Sequence, residues 1–294
     1  MSYQDDVQTW IETAQQLLLS DKETLDNGRT PAEEAEQYLE RALRYQPTHQ
    51  EALIMLVNMY IHSARGPLIS KRLNRLVRDH PEEPSAYRAV LAFMRASGKL
   101  ELAVAYFQRL LEQATDRVKP VIHLCIAELY ASQADFAALQ KEIQIMQGYP
   151  PADPIMQGLL MLEYNDANGI FQFAEKIEDQ AIKHTLWGMV MEAQGDFEKA
   201  GQYFFAAGSE ENPPWYALNA LANMWLNAKN LEYADAYLEQ VSALNPSAPE
   251  VQLTRARIIQ EKGKYEQSRA IKKKLVLSKT VWPRIKKLAN NLLH

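Results

Sequence analysis

Six histidines and one cysteine are the side chains of this 294-residue chain best suited to nucleophilic or metal chemistry. His123 and Cys125 come nearest to forming a pair. A thiol activated by an imidazole needs the two groups within hydrogen-bond reach and a third group to orient the base. Two positions apart on a helix, they point to different faces, so Cys125 is expected to be a small packing residue. No His is spaced with Cys, Asp or Glu like a metal site, and there is no phosphate-binding Gly-rich loop, G-x-S-x-G elbow or H-E-x-x-H. The acid pairs Glu33 with Glu34 and Glu210 with Glu211 fall near predicted helix starts or turns, where a carboxylate offsets the helix dipole. No catalytic activity, cofactor or metal is expected.

Chemistry suited to holding a peptide is easier to find. Asn219, Asn223 and Asn227 recur at i, i+4 and i+8 beside an apolar stripe, with Tyr216 one turn before them. Asn costs about half a kcal/mol per position relative to Ala in a helix, so helix stability does not explain three of them. Each amide offers a donor and an acceptor together, which matches an extended peptide backbone. Asn227 lies next to a turn and has the alternative role of ending its helix. Arg88 and Arg95, seven apart and so on one face, suit an acidic side chain or a terminal carboxylate; two solvated arginines are the plainer account.

These residues sit in a repeating frame. The hexapeptide at 195–200 (Gly195, Asp196, Phe197, Glu198, Lys199, Ala200) returns 34 residues on at 229–234 and again at 263–268. Gly188, Ala222 and Ala256 keep the same register, and Pro47 and Pro81 are also 34 apart. Within a unit, Leu218, Leu221, Ala222 and Trp225 make one apolar helical face. After a turn at Lys229 and Asn230, Ala234, Leu238 and Val241 make a second, which Asn245 and Pro246 end. Along the chain the period runs 34, 34, about 36, about 31, about 30, 34 and 34 residues.

The pattern resembles the tetratricopeptide repeat family: W-x2-L-G-x2-Y, then A-x3-F, then P over about 34 residues. Leu53, Leu56, Val57 and Tyr60 meet its first-helix positions, as do His184, Trp187, Gly188 and Met191, and His123, Ile126, Ala127 and Tyr130. Ala35 with Leu39, Ala103 with Phe107 and Ala200 with Phe204 meet its second-helix positions. Ile69 and Leu139 stand where Ala is usual, and Arg255 where Leu is usual. The resemblance covers residues 31–278 and implies an all-α, right-handed superhelical solenoid of about eight antiparallel helix pairs. A basic capping helix from Pro283 would follow, with Ile285, Leu288, Ala289, Leu292 and Leu293 on its apolar face. Two sub-arrays, 1–149 and 150–294, are expected to meet near residue 150, the first with an inserted loop over residues 20–30 before Pro31.

The family's groove is lined by the first helix of each pair. The resemblance therefore places Asn58, Arg88, Arg95, Glu128, Glu192, Tyr216, Asn219, Asn223, Asn227 and Arg257 along it as peptide-binding candidates. The Lys-and-Asn pattern of the family's carboxylate clamp is missing, which disfavours a chaperone co-factor role. The implied function is a scaffold or adaptor holding a peptide segment of a partner. A peptide-sensing regulatory module is the alternative, with its output in the partner.

Charge adds a second surface. The net charge of −5 divides into +9 over residues 262–294 and −14 over the rest. Lys272, Lys273, Lys274, Arg284, Lys286 and Lys287 are expected on the solvated face of the cap. The alternative is contact with an anionic membrane surface as a docked assembly factor. Nucleic acid is disfavoured by the overall acidity. The acidic start lacks the features of a signal peptide, no segment reaches the ~20 apolar residues of a membrane span, and a single Cys allows no intrachain disulfide. The expected location is cytoplasmic.

Overall fold

The computed structural model describes residues 3–18, 20, 23–246, 248–278 and 281–293. Asp21 and Lys22, part of the expected inserted loop, lie outside the described residues, as do Met1, Ser2, Leu19, Ser247, Lys279, Thr280 and His294. The described residues form seventeen α-helices and no strand. In chain order these are α1 (Tyr3–Leu18), α2 (Pro31–Tyr45), α3 (Gln50–His62), α4 (Gly66–Asp79), α5 (Pro84–Ala96), α6 (Leu100–Leu111), α7 (Lys119–Gln133), α8 (Phe136–Met146) and α9 (Pro154–Glu163). Then come α10 (Ala167–Ala174), α11 (Gln180–Gln194), α12 (Phe197–Gly208), α13 (Trp215–Asn227), α14 (Leu231–Leu244), α15 (Pro249–Glu261), α16 (Tyr265–Leu277) and α17 (Pro283–Asn291). Taken two at a time, they are eight pairs and a final single helix.

The turn inside each pair from α3–α4 onward is built the same way. A residue with positive φ stands at Ala64, Gly98, Ala134, Asn165, Gly195, Lys229 and Gly263. The intervals are 34, 36, 31, 30, 34 and 34 residues, so the sequence period and its irregular middle mark this one backbone position. The next residue's N–H closes each turn, as in Asp196 N to Met191 O at 2.9 Å, Asn230 N to Trp225 O at 2.9 Å and Asp135 N to Tyr130 O at 3.0 Å. This six-residue closure satisfies carbonyls that the ending helix leaves open. Asp135, Asp166, Asp196 and Asn230 then accept the N–H three residues on and cap α8, α10, α12 and α14. Glu33 takes part in a capping box with Thr30 at the start of α2, with Pro31 in the first turn.

By Cα proximity the chain separates into two compact units, Met1–Leu129 and Tyr130–His294, divided inside α7. In the first, Leu53, Leu56, Ile69, Leu39 and Phe107 are fully buried. In the second, α11 and α12 cross closely because Gly188 faces the Phe204 ring: a β-carbon there would lie 2.5 Å from Phe204 Cε1. His123 and Cys125 are both buried although they point in different directions, since Val118, Val121, Ile122, Leu124, Ile126, Ala127 and Leu129 around them are buried too.

The final helix departs from expectation in its details. Ile285 and Ala289 pack with Val281 against Leu253 of α15 and Leu275 of α16. Leu288 and Leu292 are 43% and 38% exposed. The apolar face is carried by the first half of α17 and the residues before it, because Val281 and Trp282 enter the core ahead of the helix.

Candidate functional site

Odd-numbered helices from α3 to α15 are the first helices of their pairs, and polar residues meet between α5 and α7, α11 and α13, and α13 and α15. In the first unit, Arg88 and Arg95 of α5 both reach Glu128 of α7. Arg88 Nη1 donates to Glu128 Oε1 in a short hydrogen bond, and Arg95 Nη1 donates to Oε2 at 2.8 Å. Glu128 is 1% exposed and the two arginines 20% each. The acid expected from a ligand is thus supplied by the chain, and Glu128 is covered rather than presented. A second pairing lies between α2 and α4: Arg65 grips Glu36 through two bonds, 2.9 and 2.7 Å, and stacks over the Tyr60 ring. The Tyr60 hydroxyl donates to the same carboxylate at 2.7 Å. These bonds hold Glu36 below the usual carboxylate range, Arg65 contributing most. Burial pushes Tyr60 up to about 12. Asn58 is exposed on α3.

In the second unit the asparagines join α13 to α15. Asn223 Nδ2 donates to Thr254 Oγ1 at 2.6 Å and to Asn219 O at 2.9 Å. Arg257 of α15 donates to Asn223 Oδ1 in a short bond and to Asn227 Oδ1 at 2.6 Å. Asn223, Asn227 and Arg257 therefore form one connected group. Asn219 is different: it is 5% exposed, and its Oδ1 has no protein partner. It sits too deep to present an amide on the surface, because the buried Leu218 and Ala220 flank it on a helix that is enclosed over residues 216–222.

A cluster of acids gathers on the same helices. Glu163 ends α9, Glu192 lies in the last turn of α11, Tyr216 opens α13 and Glu250 opens α15. Arg284, the second residue of α17, reaches in among them. Its Nε stands 3.3 Å from Glu163 Oε1 as an ion pair not aligned for a hydrogen bond, and its backbone N–H donates to Glu163 Oε2 at 3.3 Å. Its Nη2 donates to Glu250 Oε1 at 3.3 Å. The Tyr216 hydroxyl donates to Glu192 Oε2 at 3.3 Å. Side-chain exposure is 1% for Glu163 and 9% for Glu250, against 27% for Arg284. Glu192 is exposed. Desolvation raises Glu163 and Glu192 above the usual carboxylate range, with Arg284 opposing it. Burial also raises Tyr216 well above the phenol range, so its hydroxyl stays a donor.

The expected basic surface is correspondingly smaller. Arg284 belongs to the acid cluster. Lys272 is 2% exposed, its Nζ donating to Gln260 Oε1 in a short bond and to Leu292 O at 2.9 Å. It ties α16 to α15 and to the end of α17. Lys273, Lys274 and Lys287 are exposed and Lys286 partly so. Glu163, Glu250 and Thr254 were not among the sequence candidates. Glu163 closes the apolar run Leu159, Leu160, Met161, Leu162, and an acid ending such a run is a signal of burial. Glu250 follows Pro249 at a helix start, where it reads as a dipole acid. Among the described residues there is no cluster of three or more His, Cys, Asp or Glu placed to hold a metal, and no helix long and apolar enough to cross a membrane.

An all-α chain of helix pairs, each turned by a positive-φ residue and joined through polar contacts between first helices, defines a helical-repeat protein. Residues 32–92 match the tetratricopeptide repeat family, and the helix pairs beyond them continue the same frame. Among solved structures it is similar to Cut9 with Hcn1 of the APC/C hetero-tetramer, at 15% identity and a TM-score of 0.45, covering 97% of this chain and 54% of that one. The chain thus spans about half the length of that neighbour. A tetratricopeptide repeat protein from Parabacteroides merdae is 14% identical with a TM-score of 0.36, covering 98% of each chain. Pseudomonas aeruginosa PilF is 13% identical with a TM-score of 0.33, covering 86% of this chain and 98% of that one. Among curated proteins, none matches this sequence.

Proposed function

We propose that this protein is a non-catalytic scaffold that holds a peptide segment of a protein partner on the polar face of its first helices. The observation that carries the reading is that first helices share hydrogen-bonding groups within each unit: Arg88 and Arg95 with Glu128 in the first, and Tyr216 with Glu192 and Asn223 with Thr254 and Arg257 in the second. The part-exposed members, Arg88, Arg95, Asn223 and Arg257, are held in place by buried partners such as Glu128 and Thr254, so they lose little freedom when a peptide lies across them. The second helices instead leave scattered apolar side chains in solvent, such as Leu102 and Phe197, which is ordinary for a protein surface.

Site-specific photo-crosslinking in cells tests the reading. A crosslinking amino acid at Asn58 or Asn227, on first helices, should capture a discrete protein partner. The same group at the exposed Glu101 of α6 or Glu198 of α12 should not. Capture only from the second-helix positions, or from none of the four, would refute it.

A further inference from the structure

The acid cluster of the second unit is shaped for a guanidinium and is filled by the chain's own Arg284. We infer that Glu163, Glu192, Tyr216 and Glu250 form an arginine-binding site, occupied in cis by Arg284 and open to exchange with an arginine of a partner segment. This rests on the reading above that the first-helix face holds peptides, and it names the side chain recognised there.

Three features carry the inference. The first is charge: one guanidinium contacts two buried carboxylates, from α9 and α15, and also feels the charge of the exposed Glu192 of α11. Carboxylates of like charge in a common site repel one another, so the cluster exerts a strong demand for a planar cation, and arginine meets such a demand better than lysine because its five donors spread in a fixed fork. The second is fit. The two guanidinium contacts are both 3.3 Å, whereas Arg65 holds Glu36 through paired bonds of 2.9 and 2.7 Å in the same chain. Charge-assisted bonds usually lie at 2.7–2.9 Å, so Arg284 engages its acids loosely. The third is access. With 27% of its side chain in solvent although its Nε is buried, Arg284 has an exposed end by which the side chain can leave. Val281, Ile285 and Ala289 anchor α17 independently through Leu253 and Leu275, so the core need not open when the arginine leaves.

The probe is Nα-acetyl-L-arginine methylamide, with the acetyl-citrulline and acetyl-lysine analogues as controls, titrated calorimetrically into the full-length chain. Citrulline keeps the shape of arginine and loses its charge. Arg284→Ala and Arg284→Met, the second keeping the aliphatic stem, vacate the site. Each should bind the arginine probe about tenfold or more tightly than the parent, the scale of one or two charged hydrogen bonds. Citrulline should show no such gain and lysine a smaller one. Adding Glu163→Gln or Glu250→Gln to Arg284→Met should abolish the gain. Equal binding by parent and both variants, or equal gain for citrulline, overturns the inference. So does loss of helicity in both variants, since Arg284 would then be a strut that cannot leave. If the vacated site binds no arginine while photo-crosslinks still form at Asn227, the arginine site fails and the peptide-holding face stands.

Discussion

Replacing Gly188 by Ala puts the packing logic of the second unit under direct strain. The new β-carbon would lie 2.5, 2.7 and 2.9 Å from Cε1, Cδ1 and Cζ of Phe204. Carbon atoms pack at about 3.5–4.0 Å, so the ring must retreat by about 1 Å. It has no room to do so: Phe204 is 1% exposed and its ring stands 6.0 Å from that of Tyr216. Overpacking costs about 1–3 kcal/mol, and three ring atoms in conflict place this case near the top of that range. Ala returns about 1 kcal/mol through helix propensity. The expected net loss is about 2 kcal/mol. Urea unfolding followed by tryptophan fluorescence reads it well, because Trp187, Trp215, Trp225 and Trp282 all lie in the second unit and only Trp10 in the first. Phe204→Leu, introduced into the Gly188→Ala background, should recover at least about 1 kcal/mol relative to its effect in the parent, the coupling expected of residues in contact. Gly201→Ala is the contrast. Its β-carbon would meet the flexible end of Met224, which is 38% exposed and can turn aside, so its stability should change little. A Gly188→Ala protein as stable as the parent, or the absence of coupling to Phe204, refutes the argument.

Three further outcomes follow from the buried groups. Glu163 has its acidity weakened in the folded state by desolvation, so its charged form is disfavoured by folding; the stability of the parent relative to Glu163→Gln should be greatest below about pH 4, near the unfolded carboxyl value, and should decline as pH rises towards 7. A relative gain for the parent over that interval, in denaturation curves at several pH values, would show that Arg284 dominates instead. Cys125 is fully buried and its thiol is pushed up to about 12, chiefly by burial, so a thiol-specific disulfide reagent at pH 8 should leave the native chain unlabelled and react fully in denaturant. Asn223→Ala should cost about 1–3 kcal/mol by taking partners from Thr254 and Arg257, whereas Asn219→Ala should be neutral or stabilising, since its Oδ1 has no protein partner; equal losses in both, by urea unfolding, would contradict this.

The repeat frame was legible because its signal is local. The residue at the positive-φ turn, the Asp or Asn that caps the next helix and the apolar spacing on either side all lie within a few positions, at Gly195 with Asp196 as at Lys229 with Asn230. Arg88, Arg95, Asn223 and Arg257 stood out by register. Their partners could not be found in the same way. That Glu128 would satisfy both arginines depends on how α5 and α7 face each other. Asn219 and Asn223, one turn apart and chemically identical, end in different environments because the stripe buried on α13 is wider than the apolar spacing indicates. Arg284 and Lys272 read as surface charge because composition counts a lysine or arginine alike wherever it points. The acids that receive Arg284 come from three separate helices, and no short window of sequence contains them together.

The tie between Arg284 and Glu163 spans 121 residues of chain. A stacked repeat array ordinarily makes only neighbour contacts, so its ends fray first and unfolding creeps inward one repeat at a time. Here the last helix is fastened to the first helix of the fifth pair as well as to the pair before it. Fraying of that end must release the Arg284 backbone N–H from Glu163 as well as the packing on Leu253 and Leu275. Contacts of such long sequence separation form late in folding, after the local turns and pairs exist to bring their ends together. The second unit should thus assemble from quickly formed local pieces and lock in a final slow step. In native-state hydrogen exchange, the amides of α15 and α16 should then open together with those of α9, where a simple array would release them in sequence from the end.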